Sequence, residues 1–145
     1  MQFMWADTLL ATERAHLIRL IVWGGASLLV GSVLLGSLRL RGHRSSLLDH
    51  FGIQTTAWGA LTLALALARL QRLELRDLAG ATRLDRFLWL NIGLDTGYAL
   101  VGLTLIVLGW RATQRLGLVG AGLAIVVQGS ALALLDLVLA GQISR

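Results

Sequence analysis

The chain has 145 residues, of which 56% are apolar and 14% charged, with a formal net charge of +5. Its mean hydropathy is +0.73. Soluble domains average about 25% charged and 45–50% apolar residues, so this composition excludes a disordered chain and argues against a water-soluble globule. Cys is absent, which excludes disulfides, thiolate metal sites, iron–sulfur clusters and cysteine nucleophiles. Pro is absent too, as suits uninterrupted helices.

In chain order, residues 1–16 come first. They set Phe3, Met4, Trp5, Leu9 and Leu10 among polar residues, the pattern of an amphipathic segment lying in the membrane interface. An apolar run begins at Leu17. A cleaved leader would show a basic start, a shorter apolar stretch and a small-residue cleavage site. This run has none of them and reads as a retained helix. Crossing a hydrocarbon core of roughly 30 Å takes about 20 helical residues. Four stretches qualify: 17–38, 50–68, 87–109 and 116–140. Each must be helical, because lipid offers backbone groups no outside partner. The links 39–49 and 110–115 are short. The link 69–86 is longer, has an amphipathic character of its own and is expected to break at Gly80. The expected fold class is therefore all-α: an antiparallel four-transmembrane-helix bundle, both termini on one side, with 141–145 as a tail.

Every one of the 13 basic residues is Arg. A basic balance is the electrostatic footprint of nucleic-acid binding. Here the arginines are scattered among apolar runs and form no patch with interleaved aromatics, so nucleic acid is not an expected partner. Arginines flanking apolar spans hold helix ends at the headgroups and pair with anionic lipid. Eight lie on the side of the termini and the middle link, five on the other. This bias favours cytoplasmic termini in a multi-pass cell-membrane protein.

Ionisable residues inside a span mark candidate sites. In the third span Asn91, Asp95, Tyr98 and Gly102 fall within about 60° of one another on a helix. Asp95 lies about 12 Å deep. In the fourth span Gln128 shares a face with Gly117, Ala121, Ala124 and Ala131 and matches the depth of Asp95. Ser27 and Thr62 reach a similar level. The expected cluster is Asn91, Asp95, Tyr98 and Gln128, with Asp95 facing inward and hydrogen-bonded to Gln128 or a nearby hydroxyl. A second polar face, His50, Gln54 and Trp58, occupies the other half of span two, with Tyr98 at the depth of Trp58. Asp136, near the end of span four, is expected to reach the headgroups. Gly93 and Gly97 form a G-x-x-x-G about 200° round from Asp95, a face suited to close helix contact within the chain or with another.

Other chemistry lacks its residues. His16 stands on one side of the membrane and His43 and His50 on the other, so no pair is placed to ligate a haem. No His, Asp or Glu cluster has metal-ligand spacing. Neither a phosphate loop nor a nucleophile elbow is present. Trp23-Gly24-Gly25 and Trp58-Gly59-Ala60 look alike, but nothing comparable recurs in spans three and four, so no transporter-type repeat is expected.

The segments HFGIQTTAWGAL and LNIGLDTGYALVGL resemble the signature stretches of small uncharacterised prokaryotic four-helix membrane proteins, over roughly His50 to Leu139. The resemblance implies the four-helix architecture and points at His50, Gln54, Trp58, Asn91, Asp95 and Tyr98. It implies no activity. Small multidrug transporters are also four-helix proteins, but their essential acid is in the first helix, and span one as drawn here has none. The expected function is that of a non-enzymatic structural or accessory membrane protein, a small subunit of a larger complex or a homo-oligomer, without cofactor or metal. The alternative is a proton-coupled small-molecule transporter or channel that uses Asp95.

Overall fold

A computed structural model describes residues 2–112 and 114–143, with side chains from residue 5 onward. The helices are α1 (Gln2–Leu40), α2 (Ser46–Gln71), α3 (Leu78–Val107) and α4 (Leu116–Ile143). A π-helical turn, Leu108–Ala112, extends α3. The protein is an all-α four-helix bundle, and all four helices are long and apolar enough to cross a membrane. Large apolar side chains cover its outside, among them Val22, Leu29, Val33, Leu100 and Leu134. We read it as a multi-pass membrane protein.

The helices are longer than the apolar runs. Residues 2–16, expected as an interfacial segment of their own, are the first turns of α1. Gly80 does not break the middle link but sits in the first turn of α3, where Asp77 caps the helix by accepting from Gly80 N at 2.7 Å. Ser45 caps α2 in the same way, accepting from Leu48 N. Local capping, rather than the edge of hydrophobicity, sets where these helices start.

α1 packs on α2, α3 on α4, and α2 on α4, with a lighter α1–α4 contact. Among the described residues no α2 Cα lies within 8 Å of an α3 Cα. The bundle is thus two hairpins joined through α2 and α4, with a crevice between α2 and α3. Glycines make the close contacts. A Cβ on Gly24 would lie 2.7 Å from Leu63 N, and one on Gly59 would lie 2.8 Å from Gly24 O. The similarity of the two Trp-Gly stretches is therefore the crossing point of α1 and α2. Gly102 and Gly122 do the same for α3 and α4, at 2.5–2.7 Å from each other's carbonyl oxygens.

Gly93 and Gly97 do not make the close contact expected of them within the chain. A Cβ at either would meet nothing within 4 Å. The face of α3 that meets α4 carries Gly102, which leaves Gly93 and Gly97 pointing out of the bundle. Gly102→Leu is therefore expected to destabilise the isolated protein by about 1–3 kcal/mol through overpacking. Gly93→Leu should leave its thermal unfolding midpoint nearly unchanged. Parallel melts in detergent check both.

Candidate functional site

The expected polar cluster divides in two. Gln128, buried on α4, turns to α1: Trp23 Nε1 donates to its Oε1 at 2.9 Å, and its Nε2 donates to Ser27 Oγ at 3.0 Å. The expected Asp95–Gln128 hydrogen bond is not made, although both line one narrow gap near Trp58 and Tyr98. The indole N–H can only donate and has no water to donate to inside a membrane, so it takes the amide oxygen that α4 presents to α1. Asp95 is left half-buried with no hydrogen bond or ion pair among the described residues.

Asp95 instead faces the α2–α3 crevice, a space of about 300 Å³. Asn91 and Tyr98 line it with Asp95 from α3; Trp58, Thr62 and Arg69 line it from α2. Trp58 and Tyr98 meet edge to face, with ring centroids 5.4 Å apart, so their matched depth holds. Arg69 closes the other end, its guanidinium carbon 5.2 Å from the centre of the Phe87 ring. Of the second polar face only Trp58 lines the crevice. His50 is exposed, with Nδ1 2.8 Å from Ser46 O of its own helix. Gln54 is half-buried and makes no hydrogen bond among the described residues.

A second polar layer, unexpected from the sequence, lies toward the end where α1 starts. Glu13 is 2% exposed. It accepts two hydrogen bonds from Arg76, both at 2.8 Å, and Arg69 Nη2 stands 3.8 Å away. The Glu13 carboxylate pushes the Arg76 guanidinium above its usual pKa, holding it charged. The forked geometry is the strong form of such a pair. His16 is fully buried, and its Nε2 lies 3.1 Å from Asp136 Oδ1. That is ion-pair distance without hydrogen-bond geometry, and Nδ1 has no partner. Asp136 does not reach the headgroups: it is 5% exposed and borders the crevice that holds Asp95. The first helix also carries a buried acid after all, in Glu13, but two arginines face it.

Leu9, Glu13, His16, Leu20, Gly24 and Ser27 are all buried. Their helical spacing extends the inner face of span one back into residues 1–16. That periodicity is the signal by which Glu13 and His16 were recognisable as inward-facing. Among the described residues no three His, Asp or Glu side chains are grouped to hold a metal.

These partners separate two substitutions. Gln128→Leu strands the Trp23 N–H and the Ser27 hydroxyl and is expected to cost about 1–3 kcal/mol. Asp95→Leu breaks no hydrogen bond and removes a half-buried carboxyl, so the unfolding midpoint should hold or rise. Denaturation followed by tryptophan fluorescence distinguishes the two. Arg76→Ala leaves Glu13 with only the longer Arg69 contact and should lower stability by about 2 kcal/mol. Circular-dichroism melts at low and high salt check this; a partly buried pair should respond weakly to salt.

No curated protein and no solved structure matches the chain significantly. A family match spans residues 19–137. It takes in both walls of the crevice, Gln128 and Asp136, while Glu13 and His16 precede it. The chain belongs to the DUF6992 family, a family of unknown function.

Proposed function

We propose that the α2–α3 crevice is a ligand site, and that Asp95 exchanges a proton for a small, partly apolar cation there. This makes the chain a proton-coupled binding or transport protein of the membrane rather than an enzyme. The observation that carries the reading is a carboxyl midway along α3, facing an open crevice, with no hydrogen-bond or ion-pair partner among the described residues. A structural carboxyl would be expected to have found one, as Glu13 and Asp136 have. Facing lipid alone, an aspartate costs about 2.5–3.5 kcal/mol. Trp58 and Tyr98 supply aromatic rings that attract cations, and the apolar walls of Leu61, Leu65 and Leu94 suit an apolar body. Arg69, engaged by Glu13 and Phe87, marks the end nearer the headgroups.

A cation on Asp95 displaces its proton, so lower pH must weaken binding. Tetraphenylphosphonium is a suitable probe for the purified full chain. It should bind more tightly at high pH, release a proton on binding, and lose at least about tenfold in affinity in Asp95→Asn. An affinity that ignores both pH and Asp95→Asn contradicts the reading.

A second reading, an accessory subunit or homo-oligomer, is favoured by Gly93 and Gly97. They leave room on the outside of α3 for a helix of another chain. Under it, Gly93→Leu with Gly97→Leu changes the assembly seen by size exclusion in mild detergent; unchanged assembly assigns that face to lipid. In either reading the arginine excess at the end shared by α1's start and α4's finish supports cytoplasmic termini.

A further inference from the structure

On the side of the bundle away from the crevice, α1 and α4 leave an outward groove of about 460 Å³. Val22, Trp23 and Ala26 form one wall and Ala131 and Leu134 the other, with Arg19 at the border. The wall is apolar almost throughout. Val22 and Leu134 are each more than 60% exposed, so the groove opens to the surrounding lipid. Arg19 is its exception. One guanidinium nitrogen, Nη1, is buried with no partner, and Arg19 makes no ion pair among the described residues. Glu13, Asp95 and Asp136, the carboxyls in the body of the bundle, lie elsewhere: Glu13 on Arg76, Asp136 on His16, Asp95 in the crevice.

Nη1 itself is closed to an outside ligand, but Arg19 is only partly buried. The rest of its guanidinium, at the border of the groove, has no partner among the described residues, so it can take an oxyanion from the groove. Helical side chains lean toward the helix N-terminus, which carries the Arg19 head toward the end where Arg69, Arg72 and Arg76 collect. That is the headgroup side of the groove, while Val22 to Ala26 run on toward the membrane centre. We propose that this groove is a binding site for one anionic phospholipid, its acyl chain along the α1–α4 groove and its phosphate on Arg19. A zwitterionic lipid fills the groove as well but brings no net charge to the guanidinium, so the site selects by headgroup. The site is independent of the ligand proposed for Asp95.

Native mass spectrometry of the full chain tests this with phosphatidylglycerol and phosphatidylcholine of identical acyl chains. The wild type should retain phosphatidylglycerol over phosphatidylcholine by about fivefold, the preference one cation confers at an anionic surface. Arg19→Gln should abolish that preference, and Arg19→Lys should keep part of it. Ala26→Trp, which fills the groove at an exposed position, should reduce retention of both lipids. Equal retention of the two lipids by the wild type overturns the proposal. So does an unchanged preference in Arg19→Gln, which assigns selection to the arginines at the helix ends. A second copy of the chain covering the groove, seen as a dimer that excludes lipid, overturns it as well.

Discussion

Apolar helices in lipid gain nothing by hiding apolar side chains from each other's surroundings, because the surroundings are equally apolar. Close packing and buried polar pairs must hold them instead. This constraint explains the two kinds of contact in the bundle. Glycines at Gly24, Gly59, Gly102 and Gly122 let backbones touch within each hairpin. Polar groups then choose partners across helices, α1 to α4 through Gln128 and His16, and α1 to the α2–α3 link through Glu13. Where neither device operates, between α2 and α3, the helices stand apart and the crevice forms.

The polar groups follow a gradient along the bundle. Near the headgroups the acid is Glu13, and it is matched by arginines. Further in, Asp136 has a histidine beside it. Deepest is Asp95, with no hydrogen-bond or ion-pair partner among the described residues. Charge neutralisation thus weakens where lipid makes it most needed. A carboxyl in that position is poised to take up a proton or a cation, whereas the Gln128 network, fully engaged with Trp23 and Ser27, serves to fix α1 on α4.

Much of the architecture was legible in the residues, since runs of about twenty apolar residues admit few alternatives. The helix ends were not. Arg83, Asp85 and Arg86 read as a loop because they are polar, yet a helix outside the hydrocarbon needs only a cap, and Asp77 provides one. That Asn91, Asp95 and Tyr98 share a face of α3 followed from a 3.6-residue period. That Gln128 would turn to α1 and leave Asp95 without a partner among the described residues did not, because Gln128, Ser27 and Thr62 share one level, and depth does not say which helices lie face to face. The Glu13–Arg76 pair joins residues 63 positions apart, beyond any local pattern. Gly93 and Gly97 carried a true small-residue motif, but a motif fixes a face of a helix and not what that face meets.

The account's central claim is that Asp95 lies in an accessible crevice while Gln128, at the same depth, is locked between helices. The native chain lacks Cys, so single-cysteine labelling is clean. In the protein reconstituted in vesicles, a small water-soluble methanethiosulfonate should modify Asp95→Cys. It should leave Gln128→Cys unmodified over the same interval. Equal protection of the two positions would contradict the account.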